Sequence, residues 1–308
     1  VPNATAYALL AVDVGHALKT HFPGEIFVGP TTAGIDMSYI QTVLEAGTLA
    51  YFDGISVHPY RNGPPESVSK DYTTLKALIS NYTSSPVPIV SGEWGYTTCT
   101  PPCTPPGPHA MPTQQAEFLV RRYLVDQANG VPLSIWYDWR DASDGNPAMR
   151  EDHFGCVHAT YHNSSMPFLP KPAFVAARAY RTFSAGVTAT SVVNATSPPV
   201  GATVYKLSTP AGNKFATFAV PTYSTCDFDG LKTDCGFDGI SQSECESRGC
   251  CFETPYRSGP QCFFKNSGAV NTSSTVTFPV GAPSAFSVAD INGTTSSKAC
   301  ADSSGSVS

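Results

Sequence analysis

Three short segments of the chain end in side chains that can do chemistry: Asp53-Gly54-Ile55-Ser56-Val57-His58-Pro59-Tyr60, Ser91-Gly92-Glu93-Trp94-Gly95-Tyr96 and Ile135-Trp136-Tyr137-Asp138-Trp139-Arg140. A carboxylate closing an apolar strand is costly to bury unless it is paired or hydrogen-bonded. Glu93 is therefore the first candidate for a functional residue, with a structural salt bridge as its plainer role. His58 either lines the same pocket or is a satisfied structural histidine. Trp136 either presents an indole face or packs in a core, and Trp94 is a further candidate for binding. No Cys/His set has zinc spacing and no glycine-rich phosphate loop appears, so neither a metal nor an organic cofactor is expected.

These ends belong to a regular alternation. Apolar positions at helical spacing (Tyr7, Leu10, Val14, Leu18) predict a helix over 3–21 that Pro23-Gly24 stops. A strand over Ile26 to Val28, ending at Gly29-Pro30, follows, and then a helix through Tyr39, Val43 and Leu44. Further strands are expected at 54–58, 88–91 and 133–136, with helices at 67–80, 113–129 and 171–183. Strands alternating with amphipathic helices make βαβ units and a parallel sheet. A complete (β/α)₈ barrel takes about 250 residues, whereas residues 1–185 hold four strands and a leading helix. The expectation is half a barrel completed by residues outside this chain or by a neighbouring chain, with a four-stranded doubly wound sheet as the alternative. From Val187 onward, Val/Thr/Ala runs (203–207, 215–220, 275–278) between Gly, Pro and Asn predict antiparallel β structure.

A formal net charge of -6, with no basic stripe, excludes a phosphate-neutralising surface, so nucleic acid is not an expected partner. An anionic membrane surface is disfavoured for the same reason, and no apolar run approaches the ~20 residues that span a bilayer. Ten cysteines, two of them adjacent at Cys250-Cys251, fit an oxidising compartment. Six N-glycosylation sequons agree, at Asn3, Asn81, Asn163, Asn194, Asn271 and Asn292. A secreted, extracellular glycoprotein is expected, with an export signal upstream of Val1.

The three strand ends, in this order, resemble the last three strands of clan A glycoside hydrolases, particularly of the family 5 and family 39 type. Arg150-Glu151-Asp152-His153-Phe154-Gly155-Cys156-Val157 and Lys171-Pro172-Ala173-Phe174 are similar to that clan's segment after strand eight. The resemblance implies the C-terminal half of a (β/α)8 TIM barrel over 1–185, followed by a β-sandwich-like domain (186–225 and 268–308). It implies Glu93 as nucleophile, Tyr60 as the tyrosine that holds it, and Trp136 as the platform under the sugar, with His58 and Trp94 as further substrate contacts. A carboxylate attacks the anomeric carbon, a phenol orients it, and an indole face packs on sugar C–H groups. Carbohydrate is then the partner. Retaining hydrolysis also needs a second carboxyl group about 5–5.5 Å away. In the clan it is the Glu of an Asn-Glu pair before the helix that opens this chain, and no glutamate here stands in that setting. The rival reading is a non-catalytic secreted glycoprotein, building a coat, a fibre or a glycan-binding surface.

Residues 226–267 carry six cysteines, Cys226, Cys235, Cys245, Cys250, Cys251 and Cys262, in a spacing that resembles the trefoil (P-type) domain. Six cysteines allow fifteen pairings, and spacing alone selects none of them. The family pattern implies Cys226–Cys251, Cys235–Cys250 and Cys245–Cys262. Asp238 and Gln261 depart from residues common in the trefoil's glycan cleft, which weighs the module towards a spacer. Cys99, Cys103, Cys156 and Cys300 remain. A Cys99–Cys103 bridge requires a turn, because extended Pro-Pro holds the Cα atoms at roughly 12 Å against a limit of ~7 Å. A bridge to Cys156 is the competitor.

Overall fold

Asn3 opens the first helix, α1 (Ala4–His21), by accepting a hydrogen bond from the Ala6 amide on its side-chain oxygen at 2.9 Å. Asp36 caps α2 (Met37–Glu45) in the same way through Tyr39 N. The computed structural model describes residues 3–107, 109–161, 168–193, 203–218, 240–247, 250–253 and 261–263, and the strand backbones at 276–277, 285–289, 295–299 and 306–307. The chain forms two compact units. The first comprises Val1–Arg61, Glu66–Gly95 and Val125–Tyr137, and the second comprises Asn62–Pro65, Tyr96–Leu124 and Asp138–Ser308.

The first unit holds α1, α2, α3 (Val68–Ser80) and four parallel strands, β1 (Val28–Ala33), β2 (Gly54–His58), β3 (Ile89–Trp94) and β4 (Ser134–Trp136), in the order β1-β2-β3-β4. That order rises without the reversal that marks a doubly wound sheet. Gly54 to Val57 are all buried, as a strand covered on both faces requires. On α3, Val68, Tyr72, Leu75 and Ile79 recur at helical spacing and are buried. Each large aliphatic side chain so buried contributes about 1.5–3 kcal/mol.

One boundary needs correction. The strand expected at Ile26 to Val28 begins at Val28 and runs through Gly29-Pro30 to Ala33, while Ile26 is exposed. Pro30 does not end it because the register with β2 shifts between Pro30 and Thr32, and a bulge in an outer strand tolerates a residue without an amide hydrogen. Strand β3 also extends beyond the expected 88–91, through Glu93 to Trp94.

In the second unit, most of α4 (Pro112–Ala128), the antiparallel pair β5 (Val157–Tyr161) and β6 (Phe168–Pro170), and α5 (Pro172–Phe183) precede an antiparallel sheet. That sheet has the order β7-β8-β9, from β7 (Ala189–Val193), β8 (Thr203–Thr209) and β9 (Gly212–Phe218). The antiparallel texture expected after Val187 is therefore present. Two further antiparallel pairs join Ala285–Ala289 to Thr295–Ala299 and Val276–Thr277 to Ser306–Val307.

The cysteine-rich segment contains α6 (Gln242–Ser247), paired strands Cys251–Phe252 and Cys262–Phe263, and a small core of Ile240, Cys245, Cys250 and Cys262 with Phe252. Cys245 is bridged to Cys262, and Cys250 and Cys251 are both in disulfides. Cys226, Cys235 and Cys300 lie outside the described residues. Cys99 is bridged to Cys103: the loop turns, with Cα atoms 5.8 Å apart and Pro101-Pro102 in cis. The competing bridge to Cys156 is absent, and Cys156 is a buried free thiol.

Candidate functional site

Strand β2 delivers His58, then Pro59 and Tyr60, and neighbouring β3 delivers Glu93. The Tyr60 hydroxyl donates to Glu93 Oε1 at 2.6 Å, across 33 residues of sequence. Donation to a carboxylate shortens and strengthens such a bond. His58 Nδ1 lies 3.9 Å from Glu93 Oε2, close enough for Coulomb attraction when protonated but beyond a hydrogen bond. Gly92 makes this approach possible: a Cβ there would stand 2.5 Å from Ser56 Oγ and 3.4 Å from the His58 ring. The Glu93 side chain keeps 36% of its surface accessible, so it is held by the phenol and still open to a ligand.

Trp94 and Trp136 face each other in register on β3 and β4, their rings 5.0 Å apart and almost perpendicular at 89°. They take different positions. Trp136 is half-buried, whereas Trp94 is 1% exposed and its indole N–H donates to Ser134 Oγ at 2.8 Å. The expectation that Trp94 contacts substrate is corrected on this point: a side chain with no accessible surface supports the strand end from beneath. Sequence reasoning also passed over Ser134, Asp126 and Tyr72, which continue from Trp94 into the helices. Asp126 gave no distinct signal, because α4 also buries the polar side chains of Gln114, Gln115, Arg121 and Arg122.

The second unit has a polar centre of another kind. Lys171 Nζ, at the start of α5, donates to both Asp141 oxygens (2.9 and 3.1 Å), to Thr98 Oγ1 (2.9 Å) and to the His153 carbonyl (3.1 Å). Gly155 N donates to Asp141 at 2.7 Å. Burial lowers the Lys171 pKa while the Asp141 charge opposes the fall. Burial likewise pushes the Cys156 thiol up to about 12, which keeps it protonated and unreactive. Among the described residues one group, Asp141, Asp144 and His158, has ligand atoms within 4.8 Å of one another. Its carboxylates are already engaged, Asp141 by Lys171 and Gly155, and Asp144 by Thr160 and the Ala159 amide. An ammonium seated between the Asp141 oxygens does not fit a metal centre.

Of the sequon asparagines, Asn3 and Asn81 are exposed, and Asn163, Asn194, Asn271 and Asn292 lie outside the described residues. No helix among the described residues is long and apolar enough to cross a membrane.

Residues 226–265 match the trefoil (P-type) domain family. A putative gastrointestinal growth factor, xP1, of Xenopus laevis is 36% identical over 44 residues, 14% of this chain and 56% of that protein. Among solved structures, a family 39 glycoside hydrolase from the gut symbiont Bacteroides cellulosilyticus WH2 shares the fold with a TM-score of 0.56 at 19% identity, over 70% of this chain. This chain spans 44% of that hydrolase's length. The likeness is one of fold: a mixed α/β architecture of glycoside hydrolase type, accompanied by a trefoil domain.

Proposed function

We propose that this chain is the nucleophile-bearing half of a secreted retaining β-glycoside hydrolase, with Glu93 attacking the anomeric carbon and Tyr60 orienting it. The observation that carries the reading is the 2.6 Å hydrogen bond from Tyr60 to Glu93 at the carboxyl ends of adjacent parallel strands. The phenol fixes one carboxylate oxygen and leaves Oε2, on the His58 side, to form the glycosyl bond. Attack breaks the glycosidic bond and forms a glycosyl ester on Glu93. A second carboxyl group protonates the departing oxygen and then deprotonates the water that hydrolyses the ester. His58 lines the pocket, and Trp136 offers its indole face to the sugar.

In this reading the acid/base comes from strands outside this chain that close the barrel against β1 and β4. Both outer strands display apolar side chains, Val28 at 38% exposure and Ile135 at 44%, as faces awaiting a neighbour would. Residues 1–185 form the barrel half, the antiparallel strands of 186–225 and 268–308 belong to one sandwich, and the trefoil of 226–267 is inserted between them. The exposed asparagines Asn3 and Asn81 carry glycans.

The test uses the full-length protein and a 2-deoxy-2-fluoro β-glycoside, which accumulates the covalent intermediate. Mass mapping is expected to find the sugar on Glu93, and Glu93→Gln is expected to lower kcat by roughly 10⁴-fold or more. A label on another residue overturns the assignment. A folded full-length protein that neither turns over nor labels leaves the coat, fibre or glycan-binding reading in its place.

A further inference from the structure

Trp94 is tied into a chain of hydrogen bonds whose direction is fixed by chemistry. Its indole N–H can only donate and the Asp126 carboxylate can only accept. The Ser134 hydroxyl between them therefore accepts from Trp94 Nε1 at 2.8 Å and donates to Asp126 Oδ2 at 2.6 Å. Tyr72 donates to the other oxygen, Oδ1, at 2.9 Å. Asp126 and Tyr72 are 1% and 0% exposed, so the series is buried where it meets the helices. It joins residues of two helices, Tyr72 of α3 and Asp126 of α4, to residues of two strands, Ser134 of β4 and Trp94 of β3, and all four residues lie in the first unit.

A buried carboxylate in a helix–sheet layer has a desolvation cost that an apolar residue would not. It also does what an apolar residue cannot, which is to fix the rotation of a hydroxyl and, through it, the rotation of an indole. The far end of the series is the indole that stands edge-on to Trp136, immediately after Glu93. We infer that Asp126, acting through Ser134 and Trp94, is a positioning residue that holds Trp136 at the angle at which it receives a sugar ring. The sugar in this statement rests on the glycoside hydrolase reading; the link from Asp126 to Trp136 does not.

Indole N–H signals of the ¹⁵N-tryptophan-labelled full-length protein report the link directly, and titration with cellotetraose, laminaritetraose and xylotetraose in turn reports its use. Ser134→Ala is expected to shift the Trp94 signal and reduce its protection from exchange, and to shift the Trp136 signal with it. The Kd of whichever oligosaccharide binds wild type is expected to rise about tenfold, the scale of one misaligned aromatic contact. Ser134→Thr, which keeps the hydroxyl, is expected to restore both signals and the affinity. Ile79→Val, a core change elsewhere on α3, is expected to move neither signal, which separates positioning from general loosening. A Ser134→Ala protein whose Trp94 signal moves while Trp136 and the Kd stay put overturns the inference. A wild type that binds none of the three sugars, but whose Trp136 signal still follows Ser134→Ala, sustains the link and removes the glycosidase reading instead.

Discussion

Each unit buries an aspartate that joins elements distant in sequence. Asp141, 2% exposed, is neutralised in place by the Lys171 ammonium on both oxygens and by the Gly155 amide. Asp126, 1% exposed, receives hydroxyl groups from Tyr72 and Ser134. An ion pair closed on itself staples the segments that meet there: the loop bearing Thr98, the turn at 141–155 and the start of α5. A carboxylate that accepts from the Ser134 hydroxyl passes an orientation onward, here to Trp94. Burial of a charge therefore does not mark a site. The next group along the series does.

The largest effect is expected where the staple is broken. Lys171→Met leaves Asp141 buried without its cation and is expected to lower stability by about 3–5 kcal/mol in urea unfolding. Adding Asp141→Leu to it is expected to recover most of that loss, since a buried pair replaced by apolar residues is often neutral. If the single change costs no more than a surface substitution, the Lys171–Asp141 pair is not the staple of the second unit.

Opening the Cys99–Cys103 loop with a double serine substitution is expected to cost about 2 kcal/mol, the chain-entropy scale for so short a loop. The first unit's indole signals are expected to stay unchanged, and a shift in them would mean that the staple and the site are not independent. Tyr60→Phe should act in the reverse sense. It is expected to cost under about 1 kcal/mol of stability, yet, on the proposed function, to slow turnover of an aryl β-glycoside by the full-length protein roughly tenfold or more, about 1.4 kcal/mol of transition-state stabilisation lost. Equal turnover in the two proteins would leave the phenol a merely structural partner.

The smallest effects are at low pH, with one carboxylate in each unit. The hydrogen bond from Lys19, followed by that from the Phe27 amide, holds Asp53 below the ordinary carboxylate range. Partial burial would raise Asp144, but hydrogen bonds from Thr160 and Ala159 outweigh it and hold it low as well. A folded-state pKa below the unfolded value means stability that is fully present above about pH 4 and is lost as pH falls through the folded value. Asp53→Asn and Asp144→Asn are each expected to be less stable than wild type at pH 7, and the gap is expected to close in acid. A gap that widens below pH 4 contradicts the sign.

Much of the first unit was legible in the sequence because it is local. Helix α3 follows from apolar spacing of three and four residues, and the expected span 54–58 of β2 is the observed one, whereas α1 forms where expected but buries Ala8, Ala11 and Gly15 and exposes Leu10 and Val14. Glu93, Tyr60 and His58 stood at the ends of consecutive strands, and parallel pairing of neighbours brings such ends together. The Cys245–Cys262 bridge was implied by the trefoil resemblance. The boundary of β1 was not legible, because a bulge against β2 cancels the usual meaning of Gly-Pro.

What only the tertiary structure decided are the partners of buried polar groups. Tyr72 meets Asp126 across 54 residues, Trp94 meets Ser134 across 40, and Lys171 meets Asp141 across 30. Periodicity tells a residue which face it occupies, and so whether it is buried, but not which distant atom completes its hydrogen bonds. The same limit applied to Trp94 and Trp136, two indoles at consecutive strand ends, one a support under the site and the other half-open beside it. Residue type and spacing marked the candidate residues, and the packing of helices on the sheet gave each side chain its partners, because that packing alone sets which polar atoms lose water and must find one another.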